Sequence, residues 1–185
     1  MMKQVMWLFC CLALFSGFAA GCGNSGEDGA MEYTGFTNQA DAEKEKGKII
    51  NFLSEAESHI RKPLSETQMN EEGVTVFQSF TTKDELDEYL QQVLSDELAD
   101  TVSEKMTDLG RSREGEYLAA VRGVRWPTIL DADPLTINIV EHSKTQTVME
   151  MDVVQNGRTN RLQYKVMKES DGENPKVVQK TIQYN

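Results

Sequence analysis

The sequence predicts an α+β fold: two main helices packed on a curved antiparallel sheet of about five strands. Three observations predict it. An apolar stripe at helical spacing runs through the segment 41–62, a helix-capping motif opens at Thr82, and strict alternation surrounds Asn156-Gly157 near the end of the 185-residue chain. An antiparallel sheet with one apolar face needs a cover, and amphipathic helices provide one.

The first helix is expected over Asp41–Lys62. Ile49, Phe52, Leu53, Ala56 and Ile60 fall at offsets 0, 3, 4, 7 and 11, which is one helical face. Pro63 disfavours helix at the residue before it and is expected to end the element. A loop through Met69–Gly73 follows, and Val74–Phe80 has the β-branched and aromatic content of a strand. Thr82-Lys83-Asp84-Glu85 is a capping box, with Thr82 as N-cap and Glu85 three residues on. Leu86, Tyr89, Leu90, Val93 and Leu94 continue that helix. Leu98, Val102 and Met106 either prolong it or form another, with Gly110 as the stop. The segment 111–134 has apolar residues without clean period, and Trp126-Pro127 and Asp131–Pro134 read as turns.

From Leu135 the pattern changes to alternation. Leu135–His142 is expected as a strand, and Thr147–Gln155 and Arg158–Lys168 as a hairpin about Asn156-Gly157. Both central residues of a two-residue type I′ turn need positive φ, which Asn-Gly supplies. Such a turn pairs positions whose numbers sum to 313, so Met151 faces Leu162 and Met149 faces Tyr164. The opposite face then carries Asp152 with Arg161 and Glu150 with Gln163, as a half-buried sheet requires. Val177–Tyr184 closes the sheet, with Val178, Ile182 and Tyr184 on one side.

The order helix, strand, helix, then a four-strand meander resembles the cystatin-like and NTF2-like folds over 41–185. That likeness implies a curved sheet wrapped round a long helix. The run Phe80-Thr81-Thr82-Lys83-Asp84-Glu85-Leu86-Asp87-Glu88-Tyr89-Leu90 is similar in style to domains of small Bacillus envelope proteins, the DL-endopeptidase inhibitor family among them.

The chain opens with Lys3 and an uncharged run, Val5–Ala20, rich in Trp7, Leu8, Phe9, Leu12, Leu14, Phe15 and Phe18. The run is short for a transmembrane helix and has the length of a signal peptide's apolar region. Its end, Ala19-Ala20-Gly21-Cys22, resembles the bacterial lipobox, with Ala19 where Leu is usual. The resemblance implies cleavage after residue 21 and diacylglyceryl attachment at Cys22, as in a small Gram-positive, Bacillus-type, extracytoplasmic lipoprotein. Cys10 and Cys11 would leave with the signal, so the mature chain would keep Cys22 alone, consistent with thioether lipidation. Acylation and palmitate-type chains would hold the protein at the cell membrane, on its extracytoplasmic face. The segment 22–40 then reads as the lipidated Cys and a flexible tether, and 41–185 as a single globular domain. A tether of this length spans about 24 Å.

Charge bounds the partners. The chain carries 19 Lys+Arg against 30 Asp+Glu, a net charge of −11, which becomes −12 once Lys3 is removed. Nucleic acid is therefore not expected, since phosphate binding needs a basic face.

No catalytic, cofactor or metal motif stands out. His59 and His142 lie far apart and lack spaced partners. Glu141-His142-Ser143 alternates across a strand and cannot converge as a triad. Asp131 and Asp133, followed by Pro134, suit a turn better than a calcium loop. The feature above background is Arg111, Arg113, Arg122, Arg125 and Trp126, since Arg and Trp are enriched at interface hot spots. Two readings stay open: a contact surface of Arg122, Arg125 and Trp126, or Arg residues at a helix end with Trp126 in the core. The expectation is a non-enzymatic, membrane-anchored binding or regulatory domain for an envelope protein or wall-active enzyme. A small-ligand carrier using the sheet's concavity and an NTF2-like enzyme are the alternatives, and no cofactor is expected.

Overall fold

Asn38 opens the first helix by accepting a hydrogen bond at its side chain from the backbone N–H of Asp41, 2.9 Å away. In the computed structural model, which describes residues 38–155, 157–168 and 174–184, this helix α1 spans Gln39–Ser65. All described residues belong to one compact unit, Glu32–Asn185. The expected signal peptide, Cys22 and the tether as far as residue 37 lie outside the described residues. Helix α1 starts two residues before the expected Asp41 and runs past Pro63, which sits in its last turn. Glu66 closes it, its N–H donating to the Lys62 and Pro63 carbonyls.

The second helical segment is two helices, α2 at Lys83–Leu90 and α3 at Asp96–Met106. The expected capping box is formed: Glu85 N–H donates to Thr82 Oγ1 at 3.2 Å, and Thr82 N–H donates to the Glu85 carboxylate at 3.2 Å. The break between the helices has a tertiary cause. Residues 93–95 pair with the last strand, through Val177 N–H to Val93 O at 2.9 Å and Ser95 N–H to Val177 O at 3.0 Å. Ser95 then caps α3.

The strands form two sheets, where about five strands in one sheet were expected. A short hairpin pairs β1 (Thr67–Met69) with β2 (Thr75–Phe77), so the expected strand at 74–80 is shorter and lies outside the main sheet. The main sheet is the antiparallel meander β3 (Asn138–His142), β4 (Gln146–Gln155), β5 (Arg158–Met167) and β6 (Lys176–Gln183), in that spatial order. Residues 135 and 136, expected at the start of β3, lie instead in a 3₁₀ turn, Pro134–Thr136, with Pro at its first position.

The β4–β5 register is the one the alternation implies: Met151 pairs with Leu162, Met149 with Tyr164 and Asp152 with Arg161. Gly157 has φ +75°, the left-handed conformation that the turn needs. The apolar face packs on α1. Met149, Met151, Leu162 and Tyr164 share one buried cluster with Leu53, Ala56 and Ile60. A register shift between Lys165 and Val166 turns β6, so Val177 faces inward at one end and Ile182 at the other. This corrects the expected inward set: Val178 is half-buried and Tyr184 is exposed.

Candidate binding site

Segment 118–136, unreadable as regular structure, carries the site. Its first part is threaded between β2 and the end of α3. Ala120 N–H donates to Thr75 O and Val121 N–H to Met106 O, both at 2.8 Å. Gly123, at φ +72°, lets the chain turn away from this tie. The far end is pinned at Thr128, fully buried, whose hydroxyl accepts from Arg61 at 3.1 Å and donates to Asp131 at 2.9 Å. The arm 121–127 between these two anchors presents Arg122, Arg125 and Trp126.

Beneath the arm lies a buried ion pair. Glu57 projects from α1 at 1 % exposure, on the face that also buries Leu53, Ala56 and Ile60. Its Oε1 accepts from Tyr164 Oη at 2.5 Å and from Lys180 Nζ at 2.6 Å. Tyr164 Oη itself accepts from the Ile129 backbone N–H at 3.1 Å. Burial, then the Glu57 charge and the hydrogen bond to it, push the Tyr164 phenol well above its usual value, so it stays a donor. Burial pushes the Lys180 ammonium below its usual value, against the Glu57 carboxylate, which pulls it up. Glu57 Oε2 is buried and has no hydrogen-bond partner among the described residues.

Lys180 links this pair to the arm. Its ammonium lies 5.7 Å from the Trp126 ring centroid and 5.4 Å from that of Tyr164, within cation–π range. The indole is half-buried and packs against the core's edge, so it is neither a closed core residue nor a fully exposed one.

Trp126 separates two depressions. A cleft of about 570 Å³ opens between α3, β6 and the arm; Glu57 and Lys180 line it together with Leu98, Val102, Trp126 and Ile182. A second depression of about 530 Å³ lies on the other side of the indole, lined by Leu64, Arg125, Pro127 and Val154 among others. Arg122, Arg125 and Trp126 all line the first of these depressions, and Arg125 and Trp126 line the second as well. Arg113 does not join them. It pairs with Glu72 at 2.7 Å and lies over the Tyr117 ring. Arg111 is exposed five residues beyond the end of α3, too far to serve its last turn.

The other candidates serve packing. His59 stacks on Tyr89 with centroids 3.9 Å apart, and its Nε2 lies 2.9 Å from the Tyr89 carbonyl. His142 Nδ1 lies 3.0 Å from Thr147 Oγ1. Asp131 caps the turn at Thr128 and pairs with Arg61, and Asp133 caps the next turn. Among the described residues no group of three or more His, Cys, Asp or Glu could hold a metal, and no helix is long and apolar enough to cross a membrane.

Sequence reasoning did not single out Glu57 or Lys180, and both sites carried a signal. Glu57 is four residues from Leu53, on the apolar stripe of α1. Lys180 lies midway between Val178 and Ile182, on the side of β6 that alternation assigns inward. No family model, characterised protein or solved structure matches this chain.

Proposed function

We propose that this chain is a lipid-anchored, extracytoplasmic binding domain of non-enzymatic kind, tethered through Cys22. Its target is an envelope protein or wall-active enzyme, received on the arm at Arg125 and Trp126. The observation that carries this reading is the convergence of an exposed Arg, without a carboxylate partner among the described residues, and a half-buried indole beside a depression edged by Val154, which is 68 % exposed. Interface hot spots have this composition, an aromatic anchor with Arg and an apolar surround. The signal-like run before Cys22 supports export. The chain's acidity argues against nucleic acid as the target.

A second reading, a small-ligand carrier, is favoured by the cleft on the other side of Trp126. Its volume, about 570 Å³, is that of small-molecule sites. The cystatin-like or NTF2-like architecture inferred from element order suits either role, since such folds hold a cavity between helix and sheet. The enzyme alternative would need the Glu57 carboxylate free to reach a substrate. That carboxylate is instead buried at 1 % exposure, with Oε1 held by Tyr164 and Lys180.

A photo-crosslinking residue at position 125, in intact cells, tests the partner reading. It should give a discrete adduct with one envelope protein, and the chain should take up a fatty-acid label that Cys22→Ser loses. Adducts from the distant exposed position Leu109 but none from 125 would overturn the surface, and a label kept by Cys22→Ser would overturn the anchor.

A further inference from the structure

The charges around the cleft are unevenly paired. Lys105, Arg122 and Arg125 all line it, and none has a carboxylate partner among the described residues. Arg122 spends one donor, Nε, on Thr75 Oγ1, which leaves its terminal nitrogens and fixes the stem. Among the described residues Glu57 is the one acidic residue lining the cleft, and Lys180 neutralises it. The floor is therefore electrically closed and the mouth carries three uncompensated cations, in a chain of net charge −11. Between mouth and floor the walls are apolar: Leu98 and Val102 from α3, with Trp126 and Ile182 across from them.

We propose that this cleft binds an amphiphilic monoanion, its acid group held by Arg122 and Arg125 and its apolar body laid against Trp126, Leu98 and Val102. The Arg forks suit a planar carboxylate or a phosphate oxygen pair. The apolar walls reject an inorganic anion, which gains nothing from them. The neutral floor accepts a methyl end without burying an unpaired charge. The cleft and the proposed partner surface share Arg125 and Trp126 and open on opposite sides of the indole. The amphiphile site rests on the carrier reading of the cleft and does not depend on the partner reading.

The test uses the full chain with Trp7→Phe, which leaves Trp126 as its one indole. Dansyl-labelled undecanoic acid is titrated, and energy transfer from Trp126 is followed. Saturable transfer is expected, at least roughly tenfold weaker for the matching dansyl-labelled alcohol and for Arg122→Gln/Arg125→Gln, the scale of a charged hydrogen bond. Inorganic phosphate should not compete. A labelled acyl-phosphate ester competing better than the fatty acid would assign the headgroup to phosphate. Val102→Phe, which narrows the cleft from a half-buried helix position without adding an indole, should weaken binding at least roughly tenfold while far-ultraviolet circular dichroism stays that of the parent. Absence of saturable transfer, equal affinity for acid and alcohol, or unchanged affinity in the folded double Arg variant or in Val102→Phe would each overturn the proposal. The crosslink at position 125 reads the partner surface separately, so failure of one leaves the other standing.

Discussion

Glu57 and Lys180 set the chemistry of the site's floor. Taking two charges out of water costs several kcal/mol each, and the attraction offsets this when geometry and extra hydrogen bonds are good. Here Tyr164 supplies the extra donor, and the ring faces of Tyr164 and Trp126 flank the ammonium. Removing one partner strands the other, which costs about 3–5 kcal/mol. Glu57→Leu and Lys180→Met are each expected to destabilise the domain on that scale, and the double variant less than either single. Denaturant melts of the four proteins check this; additive losses would show that the two groups are not coupled. These residues were poorly legible in the sequence because Glu and Lys ordinarily mark solvated positions. Position on a stripe was the usable signal, and identity argued against it. Trp126 was legible by type, but its half-burial depends on the threading of 118–121 between β2 and α3, which no local pattern encodes.

At the scale of elements, local chemistry and tertiary pairing share the outcome unevenly. The capping box at Thr82 and the β4–β5 register were legible because they are written in neighbouring residues. Of the small sheet, β2 lay within the expected strand 74–80, but its partner β1 was not legible, since a three-residue strand carries too few alternations to read. Nor was the break between α2 and α3, which comes from pairing with β6 more than eighty residues on. The hairpin offers a clean check of the local part. A Cβ on Gly157 would meet nothing within 4 Å, so a substitution there strains only the backbone. Left-handed φ costs an L-residue about 1–2 kcal/mol, more for a β-branched one. Gly157→Val is expected to lower stability by more than about 1 kcal/mol. An unchanged denaturation midpoint would mean the turn does not hold this conformation.

For the molecule as a whole, the fold class was legible and the sheet count was not. The α+β arrangement followed from one apolar helix stripe and one half-apolar hairpin, and both pack as their periodicities demand. What positions the site is a set of long-range ties: α1 to β5 and β6 through Glu57, the arm to β2 and α3 through its backbone, and Thr128 to Arg61. The proposed function attaches to the arm because the arm is held at both ends while its middle presents Arg122, Arg125 and Trp126. Trp126 is shared by the proposed partner surface and the cleft, so Trp126→Ala tests the proposed binding on this arm most directly. A fully buried Trp would cost about 3–5 kcal/mol on truncation. The half-buried indole should cost about 2 kcal/mol or less and leave the chain folded. In that folded variant, binding through the arm predicts loss of the crosslink from position 125, by at least the ~2 kcal/mol of a hot spot. A folded Trp126→Ala chain that still crosslinks as the parent does, or one that fails to fold at all, would contradict it.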